Sequence, residues 1–161
     1  MNGKDIIMFA LPRWDGLFYS TALSLSKELS RSNRVFYIDN PFTLKYCLVN
    51  FFTPPIQRRW KALFFGADKY KEIDPGNKQL INVTPLIVIP VNFLPAGRIY
   101  NFFNRINTAI VRLALVAAIR DYNVREFIFI NSFNPFFFQD LGSLKPVRSS
   151  GSRCWPSGAP P

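Results

Sequence analysis

The sequence predicts an α/β fold built on an open, parallel sheet, and three observations carry that prediction. Asp5-Ile6-Ile7-Met8-Phe9-Ala10-Leu11 is a short apolar run of the kind that a parallel strand covered on both faces requires. A helical stretch from about Ser20 to Arg31 follows it and leads to a second run, Arg34–Asp39. Much later, after the longest helical pattern in the chain, Glu126–Ile130 reads as another strand. In open α/β sheets ligands sit beyond the carboxyl ends of the strands, so the loop after Leu11 is the natural place for chemistry.

Each element has its own signals. In the first helix Ala22, Leu25 and Leu29 fall at helical spacing, with Lys27 and Glu28 outward. Ser20 suits the N-cap, and Asn33 suits a left-handed stop before the second strand, which Asn40-Pro41 ends. Phe42–Lys71 reads as an irregular aromatic and basic region, with a short helix Ile56–Phe65 opened by Pro54-Pro55 and closed by Gly66. A turn at Asp74-Pro75-Gly76-Asn77 precedes an extended run, Gln79–Pro90, divided by Pro85. Beyond that proline, Leu86–Pro95 reads as extended loop or edge strand. Arg98–Tyr122 is the long helix, with Ile99, Phe102, Phe103, Ile106, Ile110, Leu113 and Ala117 on one face. Val147–Pro161 changes character: Ser, Gly, Pro and Arg dominate beside Cys154 and Trp155, with almost no aliphatic side chains. That stretch is expected to be a disordered tail, and its abruptness is what a shifted reading frame or a cloning remnant produces.

Composition narrows the function. A chain of 161 residues buries one ordinary core, and 48% hydrophobic residues exclude a disordered protein. A net charge of +10 points to a polyanionic partner: nucleic acid, an anionic membrane surface or phosphorylated substrates. The absence of histidine removes histidine triads, histidine metal sites and the commonest general base. Cys47 and Cys154 form no metal or redox spacing, which fits a reducing cytosol. No stretch reads as approaching the roughly 20 apolar residues of a spanning helix, and no signal peptide is apparent, so the chain is expected to be cytoplasmic, free or peripheral on a membrane.

Arg13-Trp14-Asp15-Gly16 is the leading candidate site. Trp14 offers a flat face for a sugar or base, Asp15 an acceptor for hydroxyls or a base, and Gly16 close backbone approach. The helix beginning near Ser20 directs N–H groups toward the same space. The alternative is an ordinary β–α connection with Trp14 capping the core and Asp15 solvated. Asp39 ends the second strand, where dinucleotide-binding folds hold a ribose, but only Gly16 stands between Leu11 and Ser20. The missing glycine fingerprint argues against an NAD or FAD site and leaves Asp39 as a turn residue. Arg58-Arg59-Trp60-Lys61, followed by Leu63-Phe64-Phe65, mixes cations with large rings and suits a membrane surface, or else a surface helix tucking Phe64 and Phe65 into the core. Arg98, Arg105 and Arg112 recur along one helix side, as a phosphate grip or a solvated face. Asn131, Ser132 and Asn134 follow a strand, in position to bond sugar hydroxyls or to form Asx turns.

Taken together, Asp5–Gly16, Ser20–Leu29, Asn33–Phe42 and Ile128–Pro135 resemble the opening domain of bacterial group 1 glycosyltransferases, the teichuronic-acid and exopolysaccharide subset above all. The resemblance covers most of Asp5–Pro146 and implies the GT-B architecture: two Rossmann-like domains, with parallel sheets flanked by helices, facing a cleft. Residues 1–146 would be part of the acceptor-binding domain, whereas the nucleotide-sugar donor would be held by a second domain with no counterpart here. It further implies no metal and no cofactor bound by this chain, no transfer activity without the donor half, and a sugar, lipid-linked or polysaccharide acceptor. Arg13, Trp14, Gly16, Asn131 and Asn134 would bind that acceptor and Asp15 would be the catalytic candidate. Arg58, Arg59, Trp60 and Lys61 would meet the inner face of the cytoplasmic membrane. Nucleic acid becomes the less expected partner. The other class of reading is a small basic, non-enzymatic module that binds anionic membrane or nucleic acid.

Overall fold

The computed structural model describes residues 3–16, 20–91, 93–132 and 137. The elements run β1 (Asp5–Ala10), α1 (Thr21–Leu29), β2 (Arg34–Ile38), α2 (Leu44–Val49), α3 (Pro54–Gln57), α4 (Trp60–Phe65), β3 (Tyr70–Asp74), β4 (Asn77–Val83), α5 (Arg98–Asp121) and β5 (Phe127–Ser132). They form an α/β structure with one mixed five-stranded sheet, in the order β3-β4-β2-β1-β5. Strands β4, β2, β1 and β5 are parallel, as expected. Strand β3 is antiparallel to β4 and was not foreseen; the Asp74-Pro75-Gly76-Asn77 turn makes it one arm of a hairpin. Its outward side chains include Lys71 and Glu72, which blunt an edge rather than advertise a strand.

Alternation along the strands divides the core into two layers. Ile7, Phe9, Phe36, Ile38, Ile81 and Val83 face α5, whereas Ile6, Met8, Ala10, Val35, Tyr37 and Leu80 face α1. Register holds each layer together, because Ile7 lies beside Phe36 on one side and Phe129 on the other. Side chains such as Phe9 and Phe36, which have no exposed surface, contribute about 1.5–3 kcal/mol each. At the amino edge of the sheet Arg34 grips Asp5 with both prongs of its guanidinium, at 2.7 and 2.8 Å.

Helix α5 sits rotated from its expected face, whereas α1 departs only at Leu25: Ala22 is buried and Leu29 packs against the core as expected. In α1 the buried residues are Ala22, Leu23 and Ser26, and Leu25 is exposed. In α5 they are Asn107, Val111, Ala114, Leu115 and Ala118, one position on from the predicted stripe, so Ile99, Phe102 and Leu113 face outward. The cause in α5 is Asn107, whose side chain donates to the Ile89 carbonyl and accepts from the Ile89 N–H, both at 2.8 Å. Two hydrogen bonds to the Ile89 backbone decide the rotation over extra apolar burial. By length and composition α5 is also long and apolar enough to cross a membrane, against the sequence expectation; here its buried face covers the sheet.

Asn33 is not left-handed; its amide donates to the Leu29 carbonyl and its Oδ1 accepts from the Lys4 N–H, so the side chain does the capping. The left-handed asparagine is Asn123, between α5 and β5. The irregular Phe42–Lys71 region holds three short helices, with Phe42, Cys47, Ile56 and Leu63 as their own small core. Gly66 closes α4 in the left-handed conformation, as expected. The predicted helix Ile56–Phe65 is broken at Arg58-Arg59, and the break turns Arg59 inward. Val88 stitches the segment beyond Pro85 to the region by exchanging bonds with Phe42 and Leu44, at 2.8 and 2.9 Å. Asn134 and the Val147–Pro161 tail lie outside the described residues.

Candidate functional site

The order of the parallel strands reverses beside β1: β2 and β4 lie on one side, and β5 on the other. Loops leaving β1 and β5 therefore flank the carboxyl-edge crevice where α/β sheets take ligands. Pro12–Gly16 leaves β1 there. Gly16 N–H donates to the Arg13 carbonyl at 3.1 Å and closes the turn, while Tyr37 on β2 donates its hydroxyl to the Pro12 carbonyl at 2.6 Å. Burial raises the Tyr37 hydroxyl to about 12, so it stays a donor at neutral pH. The loop thus leans over the end of β2, toward Asp39.

Three charged side chains and an indole meet at that end. The Arg59 guanidinium donates to Asp15 Oδ2 at 2.7 Å and to the Pro55 carbonyl at 3.1 Å, and it reaches Asp39 Oδ2 at 3.5 Å. Asp39 Oδ1 accepts the Trp14 N–H at 3.1 Å. The side chains of Arg59, Asp15 and Asp39 are only 5%, 11% and 1% exposed. Arg59 also lies 5.4 Å and Lys71 5.7 Å from the centre of the Trp14 ring, and Arg13 stacks over Phe42 at 3.9 Å. The indole Nε1 of Trp14 is buried and has no acceptor among the described residues, in a loop at the ligand edge.

Environment separates the two carboxylates. Burial alone would raise Asp15, but the hydrogen bond and charge of Arg59 outweigh it and hold the group below the usual carboxylate range. Asp39 is raised to about 7, because burial outweighs the more distant Arg59. Held this way, Asp15 is an ionised acceptor suited to orienting hydroxyls. Abstraction of a proton at neutral pH would require it first to part from Arg59.

The structure brings Arg13, Trp14, Asp15 and Gly16 to one half-buried turn. Asn131 lies on β5 at the same edge, in register with Phe9, and its amide donates to the Phe137 carbonyl at 3.4 Å. Arg58, Trp60 and Lys61 are exposed, whereas Arg59, grouped with them by sequence, is a buried partner of the loop. Phe64 and Phe65 do not fill the core; Ala62 and Leu63 do. Arg98 and Arg105 are exposed and Arg112 is half-buried. Asp39 is more than a turn residue. Both roles carried a signal: Asp39 directly follows the run Val35-Phe36-Tyr37-Ile38, and Ile56, Arg59 and Leu63 share the inward spacing of a helix face. Among the described residues no group of three or more Cys, Asp or Glu could hold a metal ion. Compared with protein-family models, curated proteins and solved structures, the chain gives no significant match.

Proposed function

We propose that this chain is the acceptor-side part of a GT-B glycosyltransferase, whose whole enzyme moves a hexosyl group from a nucleotide sugar to a lipid-linked or polysaccharide acceptor. The observation that carries the reading is the Trp14–Asp15 turn at the strand-order reversal, where neighbouring residues supply an ionised carboxylate and an indole donor with no acceptor among the described residues. Aromatic faces and fixed carboxylates are what sugar rings and hydroxyls require. The parallel strands, in the order β4-β2-β1-β5, also follow the first half of a doubly wound sheet, which supports the Rossmann-like assignment.

In this account Trp14 stacks on the acceptor sugar and Asp15 orients its hydroxyls. Arg59 is a positioning residue, Arg13 and Gly16 shape the turn, and Asn131 lines the far wall. The donor nucleotide sugar is assigned to no residue of this chain. The enzyme would work in the cytoplasm, at the inner face of the membrane where phosphorylated lipid acceptors are displayed.

The test is equilibrium binding of a short-chain prenyl diphosphate hexosamine to the chain and to D15N, with thermal melts alongside. Saturable binding weakened about tenfold in a folded D15N, the scale of one charge-assisted hydrogen bond, is expected. Equal binding by both proteins would overturn the assignment.

A further inference from the structure

We propose that the outer face of α2, α3 and α4 is a docking surface for an anionic lipid bilayer. The inference goes beyond the acceptor reading and does not depend on any sugar chemistry. Its first support is apolar exposure. Phe52 is 90% exposed, Val49 75%, Phe65 74% and Leu48 65%, all within one short stretch of chain. The three helices already own a buried core of Phe42, Cys47, Ile56 and Leu63, so the outward rings are not needed to hold them together. Large apolar side chains exposed this densely along one stretch of chain are a feature of interaction sites.

Charge decides the partner. Between Asn40 and Ala67 the chain carries Lys45, Arg58, Arg59 and Lys61 and neither Asp nor Glu. Arg59 is held internally by Asp15, which leaves Lys45 and Arg58 exposed on the same stretch, with Lys61 beside the Trp60 ring and in a solvated pair with Asp68 at 3.8 Å. Rings at headgroup level with cations on anionic lipid form the pattern of an interfacial segment. A second copy fits poorly, because a symmetric contact would set these cations against their own equivalents.

Topology gives the docked protein an orientation. The helices follow the carboxyl end of β2, and Ile87–Ile89 ties them to α5 through Leu63 and Asn107. Helix α5 spans about 36 Å and β5 about 20 Å. The buried face of α5 begins at Asn107, so its first turns, with Ile99 and Phe102 exposed, overshoot the same edge. Arg59 then fixes the Trp14–Asp15 turn directly to the docking helices.

Co-sedimentation of the full chain with vesicles tests this, using phosphatidylcholine alone and phosphatidylcholine mixed with phosphatidylglycerol, over a salt series. The chain is expected to partition to the anionic vesicles and to be released by salt. The double variant F52S/F65S should weaken partitioning about tenfold for each ring removed while its melt is unchanged. Equal partitioning to neutral vesicles, or undiminished partitioning by the variant, would overturn the proposal. So would a concentration-dependent dimer, or single-stranded DNA binding, that the same substitutions abolish while vesicles are ignored. Vesicle binding needs no acceptor, so this outcome is independent of the hexosamine titration.

Discussion

Replacing Arg59 by methionine keeps most of the side chain's length and removes its charge and its forked donors. Asp15, bonded at 2.7 Å, loses its main partner, and the Pro55 carbonyl loses a donor. Asp39 loses the nearest cation to a carboxylate that is 1% exposed. Breaking a buried ion pair from one side costs about 3–5 kcal/mol, because the remaining charge stays desolvated. Out of a typical total of about 5–15 kcal/mol, that is a large share. The loss should depend on pH. Without the guanidinium Asp15 loses what holds it low and Asp39 rises further, so the folded variant takes up protons as pH falls and recovers part of the deficit. Urea unfolding at about pH 8 and about pH 5 reads this directly, with the deficit smaller at the lower pH by about 1–2 kcal/mol. The matched control is R58M, one residue away and exposed, which should stay within about 0.5 kcal/mol of the parent. An R59M curve that matches R58M, or a deficit identical at both pH values, would refute the buried-bridge reasoning.

Further outcomes follow from the same geometry. Because Asp39 is raised from 3.8 to about 7, its folded form keeps a proton that the unfolded chain has released, so its contribution declines as pH rises through that window. D39N should flatten that part of the curve, seen as the parent-minus-variant difference in urea midpoints. Asp15 acts with the opposite sign: lowered in the fold, its contribution is present above 3.8 and is lost as acid protonates it, so D15N should lose that acid-side slope. Substituting leucine for Asn107 strands the Ile89 N–H and carbonyl and should cost about 2–4 kcal/mol in chemical denaturation, although leucine is the more apolar residue. W14F keeps a ring and removes a donor that has no partner among the described residues, so thermal melts should move by less than the equivalent of about 1 kcal/mol while hexosamine binding weakens.

Much of the sheet was legible because buried parallel strands announce themselves as apolar runs: Ile6–Ala10, Val35–Ile38 and Phe127–Ile130 all lie where the sequence pointed. Strand β3 was not, since Tyr70–Asp74 is a polar edge strand that owes its conformation to the turn after it. Helix α2 was hidden in an aromatic stretch; its signal was the Thr43 cap, which accepts the Tyr46 N–H at 3.3 Å. Helix existence was plain, but helix rotation was not, because one buried amide at Asn107 outweighs a stripe of larger apolar side chains. At the site, the turn itself was readable from strand order and residue type. The Arg59 bridge to Asp15 spans 44 residues and arises only once α3 and α4 fold back over β2. Treating Arg58-Arg59-Trp60-Lys61 as one basic patch concealed the single member on the inward spacing.

The chain holds three tryptophans, Trp14, Trp60 and Trp155, so its indole N–H signals form a spectrum of three lines. With the Trp14 line assigned by W14F, titration with the short-chain prenyl diphosphate hexosamine watches the indole donor itself. A saturable shift of the Trp14 indole proton, weakened in D15N, is expected. A Trp14 line that stays fixed while the ligand binds elsewhere, or while only Trp60 responds, would contradict it.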